Sequence, residues 1–188
     1  MTAVVFDVNL SLDGFVAAAG ITADQPLGEG GDILSRWASS PDVARTPKPP
    51  STAGAMISGR RTYDLALPDW GAGGPHPLTP VFVVTHAVPE ASPPDSVYTF
   101  VTDGIAAALG RARAAAGDLD VRIMGGAAIG QQYLAAGLVD EIVVHLVPVL
   151  LNTGMRMFEN VDGPQTELDV IEVVDLPDAT HVRYRVVR

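Results

Sequence analysis

The spacing of apolar positions divides the chain into short strands and helices that alternate. Residues 3–10 (AVVFDVNL) are rich in β-branched and aromatic side chains and predict a strand. Residues 12–19 follow as a loop, with Asp13-Gly14 as its turn signal. Ile33, Leu34 and Trp37 recur at helical spacing, so residues 32–39 predict a short helix. Prolines at 41, 47, 49 and 50 stop that helix and make residues 41–50 a connector. Residues 53–58 predict a small buried strand ending at Gly59, with a helix starting over 60–67 and a Gly/Pro loop over 67–80. The continuous apolar run at 81–85 predicts a strand of the kind buried on both faces of a parallel sheet. Residues 97–101 predict another strand, and Asp103 the cap of an Ala, Leu and Arg helix that ends near Gly117. Val121–Met124 predicts a short strand that runs straight into Gly125-Gly126. A helix over 127–136 ends at Gly137, and residues 139–151 predict a long strand. Alternating strands near 167–174 and 180–187 complete the chain.

Strands alternating with helices predict an α/β domain with a mainly parallel, mixed sheet, and the last two strands an antiparallel hairpin on its edge. The length, 188 residues, fits one domain over 1–188. In such sheets ligands sit beyond the carboxyl ends of the strands, where loops meet helix N-termini. Three strand ends stand out there: Ser58-Gly59-Arg60, Thr85-His86 and Met124-Gly125-Gly126.

Charge narrows the partners. With 12 basic and 22 acidic residues the net charge is −10, which opposes binding to nucleic acid or to anionic lipid. A phosphate-bearing ligand must therefore meet a local positive cluster. The chain has no cysteine, so disulfides, thiolate nucleophiles and Cys-based zinc sites are excluded, which fits a reducing compartment. The N-terminal stretch lacks a basic region and a cleavage site, and no apolar run approaches the ~20 residues of a membrane span. These features predict a soluble cytoplasmic protein.

Three stretches carry candidate chemistry. In SGRRTY (58–63) a strand ends at Gly59 and the next helix opens with Arg60, Arg61 and Thr62. This is either a solvated basic helix start or an anion site built from free N–H groups, guanidinium groups and a hydroxyl. In MGGAAIG (124–130) paired glycines between strand and helix form either a tight turn or a phosphate cradle; the GxGxxG fingerprint is absent. In FDVNLSLDGF (6–15) Asp7 and Asn9 share one strand face, and a carboxylate within an apolar strand needs a partner or a purpose. His76, His86, His145 and His181 lack zinc-ligand spacing, and His145 reads as a satisfied sheet histidine. There is no G-x-S-x-G elbow and no phosphate-binding G-x-x-x-x-G-K-[ST] loop.

Taken in order, SLDGF, SGRRTY, VVT followed by His86, MGGAAIG and LVDEIVVHLVPVLLNTGMRMFE resemble the dihydrofolate reductase-like superfamily over nearly the whole chain. The set is closest to the C-terminal reductase domain of the bacterial bifunctional riboflavin-synthesis deaminase-reductase. The resemblance implies a three-layer α/β/α sandwich that binds NADPH across the carboxyl edge of its sheet. It places Asn9, through its backbone, at the nicotinamide carboxamide, and Asp13, Gly14, Phe15 and Ala17 in a loop over the nicotinamide ribose. Gly59, Arg60, Arg61 and Thr62 fall at the adenosine phosphates, and Thr85 and His86 near the adenine ribose. Gly125, Gly126, Ala127, Ala128 and Ile129 fall at the pyrophosphate, with a cis Gly125–Gly126 peptide. Asp7 and Asp32 become the carboxyl candidates for catalysis. The implied activity is hydride transfer from NADPH to a small heterocyclic or ribosyl substrate, as in 5-amino-6-(5-phosphoribosylamino)uracil reductase. Dihydrofolate reductase proper and a non-catalytic NADPH-binding protein are the alternatives. The stretch GGPHPLTPVF (73–82) lacks the arginine that dihydrofolate reductases use for the folate tail. The resemblance also implies a homodimer built through the last third of the chain.

Overall fold

A computed structural model describes residues 2–48, 52–159 and 165–188; Pro49 and Pro50 of the connector lie outside them. Strand β1 (Val4–Ser11) is apolar on one face and polar on the other, and it lies inside an eight-stranded sheet. Its companions are β3 (Ala53–Gly59), β4 (Val81–Val84), β5 (Tyr98–Val101), β6 (Asp120–Ile123), β7 (Glu141–Val147), β9 (Leu168–Leu176) and β10 (Ala179–Val186). The order is β5-β4-β3-β6-β1-β7-β10-β9. The first six of these are mutually parallel, and β10 and β9 are antiparallel, as the alternation of elements predicts.

One face of the sheet carries Val4, Phe6, Val8, Leu10, Ala55, Ile57, Val121, Ile123 and Ile142. It packs against α2 (Gly104–Ala116) and α3 (Ala127–Ala135). Each such side chain, fully buried, contributes roughly 1.5–3 kcal/mol. On the other face, Met56, Val81 and Val83 pack against Tyr63 of α1 (Arg60–Trp70). Further along that face, Leu34 and Trp37 of a 3₁₀ segment, Gly31–Ser39, pack against Val147 and Ala179. The result is a three-layer α/β/α sandwich.

Several boundaries differ from expectation, each for a local reason. The helix expected over 32–39 is this 3₁₀ segment, without a side-chain cap at its N-terminus. Helix α1 runs to Trp70 with Pro68 inside it, rather than giving way to a loop at 67. Asp103 occupies the N-cap position of α2, but its carboxylate pairs with Arg111 at 2.8 Å instead of capping. Strand β7 stops at Val147 rather than 151, because Pro148 has no N–H for the ladder. The chain turns back as β8 (Gly154–Arg156), which pairs with β2 (Phe15–Ala18) inside what the sequence reads as a loop.

Candidate functional site

The carboxyl ends of β3 and β6 bring two helix starts together. Helix α1 follows β3 directly, and α3 follows β6 after Gly125-Gly126. The Gly126 N–H donates to Thr62 Oγ1 at 3.1 Å, which ties the two N-termini to each other. Each presents unpaired backbone N–H groups and the positive end of its dipole. Gly125 has φ +109, and a β-carbon there would lie 2.5 Å from Thr62 Oγ1. At Gly126 a β-carbon would meet Met155 Sδ and Thr62 Oγ1 at 3.9 Å, ordinary contact distances, so the fold itself does not exclude one there. No peptide bond among the described residues is cis, so the cis Gly125–Gly126 peptide is not found. Gly59 approaches Ile129, Ala127 and Ile129 are buried, and Ala128 is exposed.

The two arginines of α1 part company. Arg60 Nε pairs with both oxygens of Asp64, at 2.7 and 2.9 Å, and its Nη1 donates to the Ala87 carbonyl at 3.0 Å. Thr85 Oγ1 donates to the same carbonyl at 2.8 Å, so Arg60 and Thr85 fasten the turn after β4. Arg61 is exposed and has no ion pair among the described residues. His86 is exposed beside that turn.

The loop after β1 is built as a clasp. The Asp13 carboxylate accepts from Ser11 Oγ at 2.7 Å and from the Leu151 and Asn152 N–H groups at 3.1 and 2.7 Å. The Ser11 hydroxyl and those N–H groups hold the Asp13 carboxyl below its usual value. Gly14 passes its carbonyl to the Met157 N–H, and the Phe15 ring carries the Arg156 guanidinium 4.4 Å above it. Ala17 pairs with Met155 in β8. Asp13, Gly14, Phe15 and Ala17 therefore stand together against β8.

Asp7 sits on the opposite face of β1 from Phe6. Its Oδ2 accepts from Arg122 Nη1 at 2.7 Å and meets His145 Nε2 at 3.2 Å. Burial works to raise its carboxyl, but His145 and Arg122 outweigh burial and hold it below the usual value. An ionised carboxylate closed in this way has no proton to give, so any part Asp7 takes in proton transfer runs through His145. His145 Nδ1 lies 2.6 Å from His181 Nδ1, and both rings are buried. Burial and the charge of His145 push His181 down to about 4. Arg122 Nη2 donates to the Lys48 carbonyl, and Lys48 Nζ pairs with Asp120 and Glu141. Asn9, two residues along β1, accepts from Trp37 Nε1 at 3.0 Å. Asp32 is exposed on the 3₁₀ segment, and its carboxylate has no ion pair among the described residues.

Gly59, Arg60, Thr62, Thr85 and the 125–129 turn thus gather at one edge, while Asn9 and Asp7 face the Trp37 side of the sheet. His145 is the satisfied sheet histidine that the sequence suggests, while Arg122, His181 and Trp37 join it beside Asp7 and Asn9 without any local signal of their own. Asp7 inside an apolar strand was the signal that such partners existed.

Residues 2–182 match the family model described as the RibD C-terminal domain. No curated protein sequence matches the chain. Among solved structures, a protein assigned to riboflavin biosynthesis from Shewanella sp. PV-4 superposes with TM-score 0.72 at 22% identity, covering 100% of both chains. A diaminohydroxyphosphoribosylaminopyrimidine deaminase/5-amino-6-(5-phosphoribosylamino)uracil reductase from Thermotoga maritima gives TM-score 0.67 at 15% identity. That match covers 99% of this chain and 57% of the other, so this chain spans little more than half of the two-activity protein. Dihydrofolate reductase from Enterococcus faecalis, complexed with NADP(H), gives 0.58 at 13% identity over 98% of this chain and 96% of that one. The fold is dihydrofolate reductase-like.

Proposed function

Since the chain belongs to the RibD C-terminal domain family and is an oxidoreductase, we propose that it reduces a small heterocyclic or ribosyl substrate with NADPH. The substrate class is that of the reductase half of the Thermotoga protein, a 5-amino-6-(phosphoribosylamino)uracil. The observation that carries this is the convergence of two helix N-termini at the Thr62–Gly126 hydrogen bond. Two sets of free N–H groups and two positive dipole ends suit a pyrophosphate. Arg61, rather than the engaged Arg60, is the guanidinium free for a further phosphate.

In this scheme Gly59, Thr62 and residues 125–129 hold the cofactor phosphates, with Thr85 and His86 beside the adenine ribose. The clasp of Asp13, Gly14, Phe15 and Ala17 covers the other end, near Asn9. When bound, NADPH supplies the hydride. The chain's own residues bind and orient, and Asp7 fixes the His145 ring rather than donating a proton. The 1–188 chain acts as one reductase domain in the cytoplasm. No helix among the described residues is long and apolar enough to cross a membrane. It works as a homodimer through the exposed apolar face of β9.

Two measurements test the proposal. Titration with NADPH and NADH checks the cofactor: a phosphate paired with Arg61 gains about 1.5–3 kcal/mol, or roughly ten-fold and upward in affinity. Arg61→Ala is expected to remove that preference and Arg60→Ala to leave most of it; equal dissociation constants for the two cofactors in the unaltered protein would overturn it. Loss of NADPH absorbance on adding 5-amino-6-(5-phosphoribosylamino)uracil checks the substrate, and an unchanged trace overturns that part.

A further inference from the structure

Trp37 is 5% exposed, yet three of its closest partners are polar side chains. Its ring stacks on His145 with centroids 3.9 Å apart and 26° between the planes. It stands edge-on to His181 at 5.0 Å, and its Nε1–H donates to Asn9 Oδ1 at 3.0 Å. The His145 ring is held from both sides. Its Nε2 meets the Asp7 carboxylate at 3.2 Å, and its Nδ1 shares a proton with His181 Nδ1 at 2.6 Å. His181 Nε2 is buried and has no hydrogen-bond partner among the described residues. The slot therefore offers a flat stacking surface and one acceptor satisfied by an indole N–H.

The segment that carries Trp37 is weakly made. A nine-residue 3₁₀ run is long for that geometry, and Gly30 before it is left-handed with no side-chain cap. Of its residues only Gly31, Leu34 and Trp37 are buried.

We propose that Trp37 holds, until substrate binds, the place of the substrate's planar ring. A heterocycle of pyrimidinedione size with a ring N–H donor displaces it, stacks on His145 and donates to Asn9 Oδ1. The inference rests on the reductase reading for its place beside the cofactor, because Asn9 lies toward the carboxyl end of β1.

The test uses 6-aminouracil as the probe and 1,3-dimethyluracil, which has no N–H, as its control. In a chain carrying Trp70→Phe, Trp37 is the only tryptophan. Millimolar 6-aminouracil is expected to shift its emission to longer wavelength and open it to acrylamide quenching, while the dimethylated ring leaves it unchanged. Trp37→Phe keeps a ring but gives up the bond to Asn9, and is expected to bind 6-aminouracil about five-fold tighter by calorimetry. Asn9→Ala is expected to bind it about ten-fold weaker. Emission that stays put at every probe concentration, or a Trp37→Phe chain that binds no tighter, overturns the inference. Should Trp37→Phe fail to fold, the emission experiment decides alone. A chain that binds NADPH while Trp37 ignores the probe overturns this inference and leaves the reductase reading standing. A chain whose Trp37 yields to the probe but which never binds NADPH does the reverse.

Discussion

Adjacent glycines at the end of β6 have different tasks, and this separates folding from binding at the level of one residue. Gly126 has room for a β-carbon, with its nearest neighbours at 3.9 Å, and an ordinary φ of −68. Gly126→Ala is therefore expected to melt within a degree or two of the unaltered protein yet to bind NADPH at least ten-fold more weakly. Normal binding by this variant would show that the turn is not a phosphate cradle. Gly125→Ala meets Thr62 and a left-handed backbone together, and is expected to cost about 1–3 kcal/mol in a denaturant titration. His181 sets a pH dependence of definite sign. Its folded value of about 4 lies below the ordinary 6.5, so between those values the unfolded chain binds more protons. Stability is complete above about 6.5 and falls as pH drops toward 4, by up to about 1.4 kcal/mol per pH unit. The carboxylates held low, Asp7 and Glu141 among them, lose their contribution at more acid pH, as it falls through their ordinary values of 3.8 and 4.5. His181→Gln is expected to flatten the slope between pH 7 and 5 in urea titrations; an unchanged slope would assign the effect elsewhere.

At the scale of elements, the Asp13 clasp joins two pieces that the chain keeps far apart. One carboxylate holds the Ser11 hydroxyl and the two N–H groups that follow β7. Asp13→Ala is expected to lower the melting temperature and to speed protease cleavage around 148–153, where the backbone loses its anchor; an unchanged cleavage rate would refute this role. The same pieces show what the sequence can and cannot tell. β4 is legible because VFVV is an unbroken apolar run bounded by Pro80. β7 was extended too far because VPVLL stays apolar after Val147, while its ladder with β1 ends where Ser11 pairs with Val147. β2 escaped because its only strand partner among the described residues is β8, far along the chain, and nothing local announces it. The two helix starts at the sheet edge were legible, since a glycine between strand and helix is a local pattern. The Arg122–Asp7–His145–His181 row was not. It takes one polar residue from each of four strands, and only the register Asn9↔His145 and His145↔His181 brings them into line.

The whole molecule leaves one flank bare. Pairing of Val170 with Tyr184 and Val173 with Val182 puts these side chains on one sheet face, where Val170 is 62% and Val173 57% exposed. Leu168 on the same edge strand is exposed as well. An apolar face beside an unpaired strand edge seeks cover. The expected state is a two-fold dimer burying at least about 1,200 Å². Light scattering should give about twice 19.6 kDa, and Val170→Glu with Val173→Glu should return it to a single chain; a monomer before mutation would refute the assembly. The position of β1 has a consequence of another kind, in time rather than space. Of the strands in this sheet it is the first made, yet its neighbours are β6, through Val4 and Val121, and β7, through Val5 and Glu141. On the ribosome, an apolar strand waits with both hydrogen-bonding edges open until more than half the chain has followed. Folding of this protein is therefore expected to be slow for its size, dominated by contacts between distant residues, and prone to aggregation when synthesis stalls before β7.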